Sequence, residues 1–171
     1  MLVLKRHHWC GILALLGLIG GGLSWWLTRP TAEQLFDQGV TALVRGDILE
    51  GERIVQRLQR HSDAAHFEQT LNGGLLLHSG RYREALSKLS PELATGRQRE
   101  PVLVWAGECF VQLKDLARAE IMLRAAAQEF PENQQAARLL AVIYFDLGAM
   151  HPALHQLKKL QQFDQIGRAH V

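Results

Sequence analysis

The chain has 171 residues, a formal net charge of +2 and 21% charged residues. That length holds one domain and an appendage, and the balanced charge, with no basic stripe and few aromatics, argues against a nucleic-acid partner. The two cysteines, Cys10 and Cys109, fall in different segments and predict no disulfide; each reads as a small buried apolar residue.

Residues 1–8 form a basic N-terminus with Lys5 and Arg6, and residues 9–27 carry no charge. As a helix rising about 1.5 Å per residue, 9–27 spans about 28 Å, close to the roughly 30 Å hydrocarbon core of a bilayer. Trp25 and Trp26 suit the far interface, and the preceding positive charge predicts that the N-terminus stays inside. The expectation is one N-terminal transmembrane helix acting as a signal anchor: a single-pass protein of a bacterial inner membrane, N-terminus cytoplasmic, remainder periplasmic. A cleaved signal peptide ending near Gly22 and Ser24 fits less well, because the apolar run exceeds the usual roughly 7–15 residues. A lipoprotein leader is excluded because the apolar run follows Cys10. Gly17 and Gly21 form a small-xxx-small pair that offers a homodimer contact, although the motif alone is common.

Helical periodicity then runs to the C-terminus. Thr31 is placed to cap a helix carrying Phe36, Val40, Leu43 and Val44. Gly46-Asp47 turns the chain into a second helix with Ile54, Val55 and Leu58. The next pair carries Phe67, Leu71, Leu75 and Leu76, turns at Gly80, and continues with Tyr82, Ala85, Leu86 and Leu89. Ser90-Pro91 interrupts that helix, and because an internal proline removes a hydrogen bond, a kink or a fresh turn capped by Ser90 is expected. Thr95–Arg99 reads as a polar linker. Leu103, Ala106, Gly107 and Phe110 mark the next helix, and Ala119, Leu123, Ala126 and Ala127 its partner, closed by Pro131. In the last pair Ala137, Leu140, Ala141 and Tyr144 face a helix holding Ala153, Leu157 and Leu160.

These pairs share one register. Gly39, Gly73, Gly107 and Ala141 recur at a constant step of 34 residues, as do Gly51, Ala85, Ala119 and Ala153, and Val55, Leu89, Leu123 and Leu157. Gly46, Gly80 and Gly148 mark the turns, with Lys114 as the exception. The pattern resembles the tetratricopeptide repeat family, through Gly107, Phe110, Ala119, Ala126 and Pro131 in the third unit and Leu140, Ala141, Tyr144, Gly148, Ala153 and Leu160 in the fourth. The first two units depart from it: Gly51 replaces the usual alanine, Glu92 replaces a small residue, and neither unit ends in proline. The resemblance implies an all-α fold, a right-handed α-solenoid of about four antiparallel hairpins over residues 31–165, with units at 32–65, 66–99, 100–133 and 134–165. Residues 166–171 resemble the translation of a sequencing adapter and are expected to be a non-native tail, with the natural chain continuing.

The resemblance further implies a concave groove for a protein or peptide partner. Its positions, carried over by register, are Phe36, Val40 and Leu43; Thr70 and Leu77; Val104, Glu108, Val111 and Gln112; and Arg138, Val142, Phe145 and Asp146. The basic and asparagine cluster by which some family members clamp a terminal carboxylate is not matched. His151 and His155 have i, i+4 spacing but no third ligand in sequence, so no metal is expected. His78, Glu108 and Asp146 can meet in the groove without forming a catalytic set. No phosphate loop or nucleophile elbow occurs, so no cofactor and no enzymatic activity are expected. The reading is a membrane-tethered interaction scaffold in envelope assembly, secretion or cytochrome maturation; the alternative is the docking arm of a larger enzyme.

Overall fold

The computed structural model describes residues 30–96 and 98–169. Among them are eight helices and no strand: α1 (Ala32–Val44), α2 (Ile48–Leu58), α3 (Ala65–His78), α4 (Tyr82–Thr95), α5 (Arg99–Gln112), α6 (Leu116–Glu129), α7 (Gln134–Asp146) and α8 (Met150–Ala169). They pair as four hairpins, and each hairpin packs on the next.

Local chemistry sets the helix ends. Thr31 caps α1 through a reciprocal box: its hydroxyl accepts from the Gln34 N–H at 3.2 Å, and the Gln34 side chain accepts from the Thr31 N–H at 3.0 Å. Asp47, Asp115 and Asn133 cap α2, α6 and α7 by one-way bonds, their side chains accepting from the N–H groups of Glu50, Arg118 and Ala136. The turn inside each hairpin is one motif used four times. The second residue after the helix adopts a left-handed conformation, with φ of 77° at Gly46, 77° at Gly80, 62° at Lys114 and 70° at Gly148. The following N–H then reaches back to the last turn, as Asp47 to the Ala42 carbonyl and Asp115 to the Phe110 carbonyl, both at 2.9 Å. Lys114 therefore holds a conformation that glycine adopts without steric cost.

Burial follows the register inside each hairpin. A Cβ built on Gly73 would lie 2.6 Å from Leu89, and one on Gly107 would lie 2.6 Å from Leu123. Such contacts require that no side chain be there, which is why the first helix of each of the first three pairs tolerates a mid-helix glycine. Leu89, Leu123, Ala85 and Ala119 are all fully buried.

Two apolar cores result, and α5 belongs to both. Val102, Trp105, Ala106 and Cys109 join the core built on α1–α4. Leu103, Val104 and Phe110 join the core built with α6 and α7. Every residue from Val102 to Phe110 is buried except Glu108. A helix apolar on nearly all sides belongs inside a protein rather than at its edge.

Three expectations are corrected. The fresh turn capped by Ser90 does not form, since α4 continues through Pro91 to Thr95. Leu157, expected to pack like Leu89 and Leu123, is 51% exposed. It lies in the outermost helix of the described residues, and its register partner Ala141 carries the Cβ that Gly73 and Gly107 lack. Third, the inner-membrane, periplasmic placement is overturned: no helix among the described residues is long and apolar enough to cross a membrane. The longest, α8 at 20 residues, carries Lys158 and Lys159 near its middle. The stretch 9–27, the basic residues 1–8 and the Gly17/Gly21 pair lie outside the described residues, as do His170 and Val171.

Candidate functional site

The odd helices α1, α3, α5 and α7 form successive side-by-side contacts, whereas each even helix packs mainly on the odd helices flanking it. An array packed more closely along its odd helices curves toward them, so these helices line the inner face.

The structure divides the predicted groove residues by depth. Phe36, Leu43, Thr70, Leu77 and Val104 are buried at 0–6% exposure and lie in the core. Leu43 is covered because Gly74 has no side chain: a Cβ there would lie 2.8 Å from Leu43 and 2.9 Å from the Trp105 ring. Thr70 is satisfied within its own helix, its hydroxyl donating to the His66 carbonyl at 3.0 Å. Val40, Glu108 and Val111 are half-buried, while Gln112, Arg138, Val142, Phe145 and Asp146 are exposed.

The surviving positions form two adjoining stripes. On α5, Glu108 and Val111 are separated by about one turn, with Gln112 beside them. On α7, Gln135, Arg138, Val142 and Phe145 follow at i, i+3, i+7 and i+10, one face of a helix. The Gln135 side-chain amide joins the stripes by donating to the Glu108 carboxylate at 2.8 Å. A second cross-link lies at the same helices' N-terminal ends, where the Asn133 amide donates to Glu100 at 2.9 Å.

Burial lifts the Glu108 carboxyl above its ordinary range, and His78 on α3 and the Gln135 hydrogen bond pull it back in part. His78 on α3 and Glu108 on α5 therefore sense each other across neighbouring inner helices. Burial also pushes the adjacent Cys109 thiol up to about 12, with the Glu108 charge adding to the effect. That thiol is a packing group and a poor nucleophile. His151 and His155 are exposed on α8, and among the described residues no group of three or more His, Cys, Asp or Glu could hold a metal. Two clefts lie elsewhere, one of about 420 Å³ lined by Asp37, Thr41, Arg45 and Glu50 and one of about 520 Å³ lined by Glu52, Asn72, Leu75 and Lys88. Neither includes a predicted groove residue.

Two solved structures share this architecture. "MamA RS-1 ArsTM double mutant" superposes with a TM-score of 0.61 at 15% identity, over 83% of this chain and 80% of that one. "MamA MSR-1 C2" gives 0.55 at 19% identity, over 81% and 79%. The fold is tetratricopeptide-like. No family model matches the chain, and no curated protein matches it in sequence. At these identities the likeness concerns the fold, and the chemistry of the face must come from this chain's own residues.

Three residues of that tetratricopeptide-like array escaped the sequence reading. Gly74 and Trp105 determine what is buried at the inner face, and Gln135 donates one hydrogen bond to Glu108. The doubled glycine Gly73-Gly74 in mid-helix was the available signal for the first, since two consecutive glycines carry a propensity cost that packing must offset. Nothing local marks Gln135, which acquires its role only from the neighbouring helix.

Proposed function

We propose that this chain is a non-catalytic interaction scaffold that holds a peptide or helical segment of a protein partner along the inner face of α5 and α7. The observation that carries this reading is the exposure of Phe145 at 63% and Val142 at 49%. Both sit on an inner helix, and Leu77 and Leu43, one and two register steps before Val111 in the Phe145 column, are buried. Apolar side chains open to solvent on a concave helical face suit a partner's apolar side chains. Val111, Gln112, Arg138 and Asp146 supply a mixed rim, the usual surround of an interaction patch. The four hairpins of residues 31–165 serve as one platform. Envelope assembly, secretion and cytochrome maturation followed from the inner-membrane placement and are withdrawn with it.

A photoreactive phenylalanine analogue placed at position 145, 142, 49 or 121 tests the face. Leu49 and Ile121 are comparably exposed on even helices, at 67% and 61%. Reproducible cross-linking of the same protein from positions 145 and 142, and its absence from 49 and 121, is the expected result. Equal yields from all four positions would refute an inner-face site.

A further inference from the structure

Glu108 forms no ion pair within 4 Å among the described residues, whose ion pairs, such as Arg118–Asp115, lie elsewhere, although His78 on α3 acts on it at longer range. One amide, that of Gln135, donates to it, whereas a carboxylate has about four acceptor sites. Arg138, one turn beyond Gln135, turns its guanidinium along its own helix to Gln134 at 3.2 Å. A carboxylate half removed from water with most acceptor sites open is costly to hold and gains from an arriving cation. On the same face of α7, seven and ten residues beyond Gln135, lie the exposed apolar groups of Val142 and Phe145.

We propose that the partner segment carries a lysine or arginine that docks on the Glu108 carboxylate and, beside it, an apolar side chain that packs on Val142 and Phe145. This rests on the inner-face scaffold reading and specifies its ligand. Glu108 and Val142 occupy equivalent positions on neighbouring inner helices, whose axes lie about 8–10 Å apart. Extended chain advances about 3.3 Å per residue, so the cation and the apolar residue are roughly three residues apart in the partner. Burial of the carboxylate among apolar neighbours strengthens the pairing, because the local dielectric is below that of water. The recognised group is therefore cationic, the opposite of a terminal carboxylate.

The test uses a random dodecapeptide display library selected on the full chain, with the best peptide then titrated by fluorescence anisotropy. Selected peptides are expected to carry Lys or Arg two to four residues from a large apolar residue. Glu108→Gln is expected to weaken binding by at least about tenfold, Phe145→Asp to abolish it, and Glu33→Gln on α1 to leave it unchanged. Urea midpoints of the three variants separate lost contacts from lost folding. Unchanged binding by Glu108→Gln, with loss on Phe145→Asp, overturns the cation docking and leaves the inner-face scaffold standing. Peptides that bind all variants alike, or no enrichment at all, overturn both.

Discussion

The third and fourth hairpins have the same turn, the same register and nearly the same residues at their crossing, yet they differ in burial. In the third, Leu123 is fully buried against Gly107; in the fourth, its counterpart Leu157 is 51% exposed beside Ala141. The third hairpin also contributes α5, which both cores share, whereas α8 packs chiefly on α7 among the described helices. A repeat position therefore specifies orientation within its own hairpin, while neighbours and the size of the crossing residue decide whether the side chain leaves water. This matters for function, because Val142 and Phe145 in the fourth hairpin are exposed where Gly74, Leu43 and Leu77 in earlier hairpins form core.

Leucine truncation separates the two hairpins most sharply. Leu123→Ala should cost about 2–5 kcal/mol, the range for emptying a packed site, and Leu157→Ala less than about 1 kcal/mol, as at other partly exposed sites; urea denaturation of both variants measures the gap. Gly107→Ala comes next. Its new Cβ would meet Leu123 at 2.6 Å, and overpacking of this kind costs about 1–3 kcal/mol, so a midpoint equal to the parent's would contradict the close crossing.

The turns offer a smaller contrast of opposite sign. Lys114→Gly should raise stability by up to about 1 kcal/mol by relieving a left-handed lysine, and Gly148→Lys should lower it by about as much. If both substitutions leave the thermal midpoint unchanged, the shared turn motif contributes nothing in either hairpin. The smallest expected effect depends on pH. The folded-state carboxyl of Glu108 is raised above its unfolded value, so the folded chain holds that proton more tightly. The associated stability is present at low pH and declines as pH rises through the interval between the two values. Glu108→Gln should therefore raise the urea midpoint at about pH 7.5 and leave it nearly unchanged at about pH 3.5. A variant less stable at neutral pH would show that the carboxylate is better satisfied than the Gln135 bond alone provides.

Much of the fold is legible in the residues. The step of 34 in the glycine and alanine columns, the caps Thr31 and Asp47 and the turn glycines are local signals, and each corresponds to a local geometry. Lys114 was marked as the odd member of its column, but its left-handed backbone is imposed by closing the same turn rather than by its own preference. Pro91 misled because a helix held by tertiary packing can outlast one lost hydrogen bond. The inner face was legible as a set of register positions and illegible in depth. Leu43 and Trp105 meet over Gly74, and Thr70 satisfies itself on the His66 carbonyl; neither fact is visible until neighbouring helices are in place. The membrane placement failed for a different reason: it rested on residues 1–27, outside the described residues, and no described helix is long and apolar enough to cross a membrane.

Native-state amide hydrogen exchange tests most directly the claim that α5 is the shared centre and the fourth hairpin its loosely covered extension. The amides of Val102–Phe110 should exchange only through global unfolding, and those of Leu157–Gln162 through local opening at lower free energy. Equal protection of the two segments, or faster exchange in α5, would contradict the account.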